Sequence, residues 1–148
     1  MDPYVKVMAD LFSAARAEFK TLHSFYFHNC LYDGVWRDNA RRWSDQTPTG
    51  ELLRRYGPDY KAIFVGDAAM SPYEITQPGG ASEYWNPESG QTWLTRACTR
   101  WPRHLWINPV PQAHWHLTAS TRLIEAIFAG KMVPMTLEGL SRGIKDIR

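Results

Sequence analysis

The sequence predicts an α/β domain with a mainly parallel β-sheet. Short apolar segments typical of strands alternate with amphipathic segments typical of helices, and this alternation favours parallel strands joined by helices. The apolar run of Ile63, Phe64 and Val65 ends at Gly66-Asp67. Because a carboxylate is costly to bury without a partner, Asp67 is expected at the surface, at the carboxyl end of its strand. In open α/β sheets, ligands bind at this edge.

Composition excludes several classes of protein. A chain of 148 residues, 44% hydrophobic and 22% charged, is ordinary for a single soluble globular domain. The formal net charge of +2 is too small to indicate nucleic-acid binding. No stretch approaches the roughly 18 apolar residues of a membrane span, and the N-terminus has no secretory signal pattern. Cys30 and Cys98 form no C-x-x-C motif, so we expect two free thiols in a reducing, cytoplasmic compartment.

The first half of the chain is predicted to contain two helices and three strands. In order, these are a helix over residues 4–20, strands over 22–28 and 31–36, a short helix that begins after residue 49, and a strand over 60–66. The first helix has apolar side chains at helical spacing. Aromatic enrichment favours the first two strands, which are expected to pair as an antiparallel hairpin through Asn29-Cys30. Thr49 is expected to cap the short helix and Gly57 to end it.

The second half is predicted to contain a long loop, three helices and two strands. In order, these are a loop over 71–90, a helix over 89–100, a strand over 104–108, a helix over 117–129, a short strand over 132–135 and a terminal helix. A high density of proline, glycine and polar residues predicts the loop, in which Tyr84-Trp85 indicates ordered structure. Apolar residues at helical spacing predict the helices, the last of which begins at Thr136.

Asp67, Thr47 and Thr49 form the first group of residues that could carry chemistry. Carboxylate and hydroxyl oxygens suit a hard cation such as Mg²⁺, which prefers near-octahedral oxygen coordination. Helix capping explains Thr49 well without a metal, and it explains Thr47 less well. Both interpretations of the threonines therefore stay open at this point.

Two further groups of residues are less specific indicators of a functional site. His114 and His116 share a face only on a strand, and no third ligand follows at a recognisable spacing, so we reject them as a metal site. Glu74, Glu83 and Glu88 lie in the predicted loop. A glycosidase-like carboxylate pair is one interpretation of them, but solvated loop acids are the commoner case. Hydrolase and nucleotide-binding motifs do not occur in the sequence.

Five segments carry a resemblance to a known family: FYFHNCLYDGVW, TGELLRRYG, YKAIFVGDAAMSPYEI, LWINPVP and MVPMTLEGL. In the same order and at matched spacing, over nearly the whole chain, they resemble the C-terminal part of CoxE-like proteins, which contain a von Willebrand factor A (VWA) domain. The resemblance implies a doubly wound, Rossmann-like α/β fold flanked by helices. It also implies a metal-ion-dependent adhesion site (MIDAS) at the carboxyl edge of the sheet.

The resemblance implies which residues form that site. In the family, a D-x-S-x-S or D-x-G-x-S motif after the first strand, a threonine from a middle loop and an aspartate after the fourth strand bind the metal. Asp67 matches the aspartate, and Thr47 matches the threonine, with Thr49 as the close alternative. Gly66 and Ala68 would let other loops approach a bound Mg²⁺ closely.

One part of the family pattern is missing from the sequence. The D-x-(S/G)-x-S motif and its strand do not occur, and residues 1–4 resemble those that directly follow the motif. We therefore expect residues 1–148 to form one N-terminally truncated VWA-like domain. In the family order 3-2-1-4-5-6, the absent strand pairs with the one at 60–66. We expect a weak Mg²⁺ site and two unpaired inner edges of the sheet.

The resemblance also implies a function. Relatives are non-enzymatic modules that work beside MoxR-type AAA+ ATPases in the assembly or maturation of metalloenzymes such as carbon monoxide dehydrogenase. A Mg²⁺ held by Asp67 and Thr47 would complete its coordination with a carboxylate from a partner protein. The alternative is a phosphoryl-accepting α/β enzyme that uses Asp67. Such a site requires a lysine at a neighbouring strand end, and the sequence there is INPVP.

Overall fold

The structure, a computed structural model, describes residues 20–148. The helix predicted over residues 4–20 lies outside this range apart from its last residue. The described elements are, in order, β1 (Gly34–Trp36), β2 (Gln46–Pro48), α1 (Thr49–Arg55), β3 (Ala62–Val65), α2 (Pro72–Thr76), α3 (Gly90–Arg100), β4 (His104–Asn108), α4 (Ala119–Ile127), β5 (Met132–Pro134) and α5 (Leu137–Asp146). Short 3-10 helices occupy Asn39–Arg41 and Gln112–Leu117. This architecture confirms the predicted α/β class with a mainly parallel sheet.

A three-stranded parallel sheet lies at the centre of the fold. Its order is β3-β4-β5, and all five residues of β4 are buried. Ala62 faces His104 across β3 and β4, and Trp106 faces Met132 across β4 and β5. Helices cover both faces of β4, which explains why its sequence is a continuous apolar run rather than an alternating one.

One edge of β3 has no strand beside it within residues 20–148. The N–H groups of Ala62 and Gly66 donate to β4, at 3.0 Å to the oxygen of Arg103 and 3.1 Å to that of Ile107. Since successive residues of a parallel strand bond to opposite sides, the N–H groups of Ile63 and Val65 point away from β4. The continuous apolar run of this strand predicts burial on both faces, and the structure buries Phe64 while leaving Ile63 and Val65 half-buried.

The core is divided between the two faces of the sheet. On one face, Trp106 packs with Phe64 and Phe128. On the other face, Leu105 and Ile107 pack with side chains of β5 and α5. Alternation along β4 therefore sends aromatic residues to one layer and aliphatic residues to the other.

The hairpin predicted in the first third of the chain is confirmed only in part, by isolated antiparallel bridges that join Tyr26 to Trp36 and His28 to Cys30. β1 pairs antiparallel with β2, a strand that the polar sequence of residues 37–48 did not suggest. Residues 22–28 form only these isolated bridges. Their aromatic side chains serve packing instead, because Phe27 contacts Phe64 and Trp106 in the core. In residues 22–28, aromatic enrichment therefore indicates packing against the core rather than an extended strand.

The long loop predicted over residues 71–90 contains a helix. Ser71 and Glu74 form a reciprocal capping box, and Pro72 occupies the first turn of α2. The remaining elements of the second half, α3, β4, α4, β5 and α5, confirm the predictions with boundaries shifted by a few residues. None of the helices within residues 20–148 has the length and apolar character that crossing a membrane requires.

Candidate functional site

Asp67 lies at the carboxyl end of β3, as the sequence predicts, and its side chain is exposed. One carboxylate oxygen, Oδ1, accepts a hydrogen bond from the backbone N–H of Ala69 at 2.9 Å. Within the described residues no donor is bonded to the second oxygen, Oδ2. The carboxylate is therefore held by its own loop while one oxygen faces outward.

The residue after Asp67 has an unusual backbone conformation. Ala68 has φ of 58°, in the left-handed region that a residue with a Cβ seldom adopts, and its side chain is buried. Its carbonyl oxygen accepts hydrogen bonds from Ser120 Oγ at 2.7 Å and Thr121 Oγ1 at 3.1 Å. Ser120 Oγ also accepts from the N–H of Met70 at 3.0 Å. The first turn of α4 thus holds the Asp67 loop in a strained shape, an arrangement that is common at functional sites.

A core residue, Trp106, also supports the loop that carries Asp67. The indole Nε1–H of Trp106 donates to the carbonyl oxygen of Gly66 at 2.8 Å. A Cβ at Gly66 would lie 3.2 Å from Cζ2 of this indole, so a larger residue would press on the ring. The groups that approach Gly66 and Ala68 closely are Trp106 and the start of α4, and the approach of other loops to a bound Mg²⁺ there stays a prediction.

The two threonines lie at the junction of β2 and α1. Thr47 is half-buried in β2, opposite Val35. Thr49 is the first residue of α1 rather than its cap, so the capping prediction is wrong. Its buried hydroxyl donates to the carbonyl oxygen of Tyr32 at 2.5 Å, a contact 17 residues away that local sequence does not encode. No hydrogen bond among the described residues joins either threonine to Asp67.

The histidine pair lies on a 3-10 helix and not on a strand. His114 and His116 are exposed, while Trp115 between them is buried and donates from Nε1 to the carbonyl oxygen of Val110 at 2.8 Å. Across residues 20–148, no group of three or more His, Cys, Asp and Glu side chains is arranged to hold a metal ion. The site predicted at Asp67, with Thr47 or Thr49, contains only one side chain of these four types, so this absence does not bear on it.

Of the three loop glutamates, the solvated interpretation is wrong for Glu74. Its side chain is only 6% exposed. Oε1 accepts from Asn29 Nδ2 at 2.9 Å, and Oε2 accepts from the N–H of Ser71 at 3.0 Å. Glu83 and Glu88 lie at the surface and pair with arginines, Glu83 with Arg42 at 2.6 Å. These partners make the three carboxylates structural groups rather than a glycosidase pair.

Both cysteines are free thiols, as predicted. Burial raises the pKa of Cys30 to about 12 and that of Cys98 to about 11. A thiol with such a pKa stays protonated at neutral pH and is not activated as a nucleophile or a metal ligand. The ligands that the candidate site at Asp67 could offer are therefore oxygen atoms and not thiolates.

Ser120 and Thr121 are site residues that the sequence interpretation missed. Their hydroxyls bond to a residue more than 50 positions earlier in the chain. A Ser-Thr pair in the first turn of a helix indicates hydroxyls free to bond outside the helix, but it does not indicate which loop receives them. Comparisons with protein families, with curated sequences and with solved structures give no match to this chain.

Proposed function

We propose that the protein is a non-enzymatic, metal-dependent protein-binding module of the CoxE-like VWA type. It acts in the cytoplasm with a MoxR-type AAA+ ATPase in the assembly or maturation of a client metalloenzyme. The observation that carries the proposal is the position of Asp67, an exposed carboxylate at the carboxyl end of a parallel strand, in a loop held under strain. The family resemblance supplies the partners.

The oxygen atoms that the proposal assigns to the metal are of the type that a hard cation prefers. Asp67 offers Oδ2, and the hydroxyl of Thr47 forms no hydrogen bond within the described residues. Thr49 is only 1% exposed whereas Thr47 is half-buried, which favours Thr47 as the second ligand. Two side-chain oxygens leave most of the six Mg²⁺ positions to water. A carboxylate from a partner protein would replace one of those waters and make binding metal-dependent.

Replacing Asp67 by alanine should abolish metal binding at the carboxyl edge of the sheet. Mn²⁺ serves as a paramagnetic substitute for Mg²⁺, because the two ions favour the same oxygen ligands. In the wild-type chain, Mn²⁺ should broaden the amide NMR signals of residues 67–70 at substoichiometric concentrations. The broadening should disappear in Asp67→Ala and persist in Asp59→Ala, which removes an exposed carboxylate before β3. Equal broadening in both variants would contradict the site.

A pull-down tests the partner separately from the metal. The MoxR-type ATPase should be retained by the wild-type chain in Mg²⁺ and lost on addition of EDTA or in Asp67→Ala. Retention that is indifferent to EDTA and to Asp67→Ala would show that binding does not use this site.

We propose further that the sheet is doubly wound and continues past β3, with a strand from outside residues 20–148 beside Ile63 and Val65. The support is the unpaired edge of β3, which has apolar side chains on both of its faces. An edge of this kind exposes a row of backbone donors and acceptors that favours pairing with another strand.

Amide hydrogen exchange tests the continuation of the sheet. In the 148-residue chain, the amides of Ile63 and Val65 should exchange about a hundredfold or more faster than those of Phe64 and Gly66, which are bonded to β4. In a longer form that carries the proposed strand, all four should be protected alike. Slow exchange of Ile63 and Val65 in the 148-residue chain would show that its own residues already cover the edge.

A further inference from the structure

A single serine hydroxyl bonds to two residues of the turn that carries Asp67. Ser120 Oγ donates to the carbonyl oxygen of Ala68 at 2.7 Å and accepts from the N–H of Met70 at 3.0 Å. Ser120 is completely buried at the start of α4, 50 or more residues away from both partners in the chain. The turn is therefore closed by a residue that does not belong to it.

The conformation that Ser120 holds is one that an alanine does not favour by itself. Ala68 has φ of 58°, and for a residue with a Cβ this left-handed region is less favourable than the right-handed one. An alanine released from its hydrogen bonds would favour an extended or right-handed backbone. The shape of the turn thus depends on the groups that hold Ala68.

The peptide group between Ala68 and Ala69 transmits this constraint to Asp67. Its oxygen is bonded to Ser120, and its N–H donates to Oδ1 of Asp67 at 2.9 Å. Because a peptide group is planar, fixing the oxygen fixes the direction of the N–H. Rotation of this peptide group away from Ser120 would also break its bond to the Asp67 carboxylate.

The neighbouring residues cannot replace Ser120 in both of its contacts. Thr121 Oγ1 donates to the same carbonyl oxygen at 3.1 Å but forms no bond with Met70. Among residues 20–148, only the Ser120 side chain bonds to both of the peptide groups that follow Ala68. Removing its hydroxyl should therefore loosen the turn even though Thr121 remains.

We infer that Ser120 is a positioning residue for Asp67. Its hydroxyl selects the left-handed conformation of Ala68, and the peptide group fixed in this way holds the carboxylate with Oδ2 facing outward. The fraction of chains in which the turn is ordered then sets the apparent affinity of Asp67 for a metal. This last step rests on the proposed function, whereas the conformational role of Ser120 does not.

Hydrogen exchange in EDTA tests the conformational role without any metal. In Ser120→Ala, the amide of Met70 loses its acceptor and should exchange about tenfold or more faster than in the wild-type chain. The amide of Gly66, which donates to Ile107 at 3.1 Å, should keep its rate because β3 stays paired with β4. Unchanged exchange at Met70, or equal acceleration at Gly66, would overturn the inference.

A glycine at position 68 separates positioning from general support. Glycine adopts the left-handed conformation without the cost that alanine carries, so it makes the Ser120 hydroxyl less necessary. With Mn²⁺ as the probe, the dissociation constant should rise about fivefold in Ser120→Ala and stay unchanged in Ala68→Gly. It should return to within about twofold of the wild-type value when the two substitutions are combined. Ser141→Ala, which removes an exposed hydroxyl of α5, is the matched control and should have no effect.

The outcomes distinguish this inference from the proposed function. Equal Mn²⁺ affinity in the wild-type chain and Ser120→Ala, or a combined variant as weak as Ser120→Ala, would overturn the role of Ser120 and leave the metal site unaffected. A wild-type chain that binds no Mn²⁺ would overturn the proposed site instead. In that case the exchange rate of the Met70 amide would still decide whether Ser120 holds the turn.

Discussion

Replacing Trp106 by alanine should lower the free energy of unfolding by about 3–5 kcal/mol, the range measured for removal of large buried aromatic side chains. Trp106 is completely buried, its ring is stacked on Phe64 with centres 5.8 Å apart, and Phe128 meets it edge-on at 5.4 Å. The cavity would lie among three large side chains that pack on the ring, Phe27, Phe64 and Phe128. Urea denaturation at neutral pH measures the loss.

Two variants test this explanation. Trp106→Phe keeps an aromatic ring but removes the hydrogen bond to the carbonyl oxygen of Gly66, so a smaller loss of about 1–2 kcal/mol is expected. Trp85→Ala removes an exposed indole and should change stability by less than about 0.5 kcal/mol. A loss below about 1 kcal/mol in Trp106→Ala would show that the core can close over the missing ring.

Trp106 also connects the core to the candidate site. Its indole holds the carbonyl oxygen of Gly66, which immediately precedes Asp67, while Ser120 and Thr121 hold the carbonyl oxygen of Ala68. The residues on both sides of Asp67 are thus fixed by different elements. The position of the carboxylate is consequently a property of the whole sheet and not of the loop alone.

The elements predicted best from the sequence are those with strong local signals. β4 follows from the continuous apolar run HLWIN, and α3 follows from apolar residues at helical spacing over residues 89–100. The exposed carboxylate at the end of β3 follows from the cost of burying Asp67 after an apolar run. In each case the physical cause lies within about ten residues of the feature.

The features that the sequence did not predict depend on contacts between distant residues. β2 forms in a polar segment because β1 is available as its partner. Thr49 gives up a cap to bond with Tyr32, and Ala68 adopts a left-handed conformation because α4 holds its carbonyl oxygen. Local propensity disfavours these conformations or does not predict them. They are determined by hydrogen bonds between distant residues.

Replacing Glu74 by alanine should destabilise the fold by about 2–4 kcal/mol, even though it is one of three glutamates in a segment that reads as a surface loop. Its carboxylate caps α2 through the N–H of Ser71 and accepts from Asn29, a residue with φ of 57°. Without it, both donors lose their partner in a partly buried place. The backbone carbonyl of Glu74 would still accept from Tyr32 at 2.7 Å, so the loss should come from the carboxylate itself.

The matched variants separate the buried carboxylate from charge alone. Glu74→Gln keeps the shape but replaces one acceptor by an amide group that cannot accept, so it should lose about half as much stability as Glu74→Ala. Glu88→Ala removes an exposed carboxylate of the same segment that is paired with Arg96, and its unfolding midpoint should stay unchanged. Equal midpoints for Glu74→Ala and Glu88→Ala would mean that solvent replaces the carboxylate at both places. Asn29 and the first turn of α2 would then be held by packing and not by Glu74.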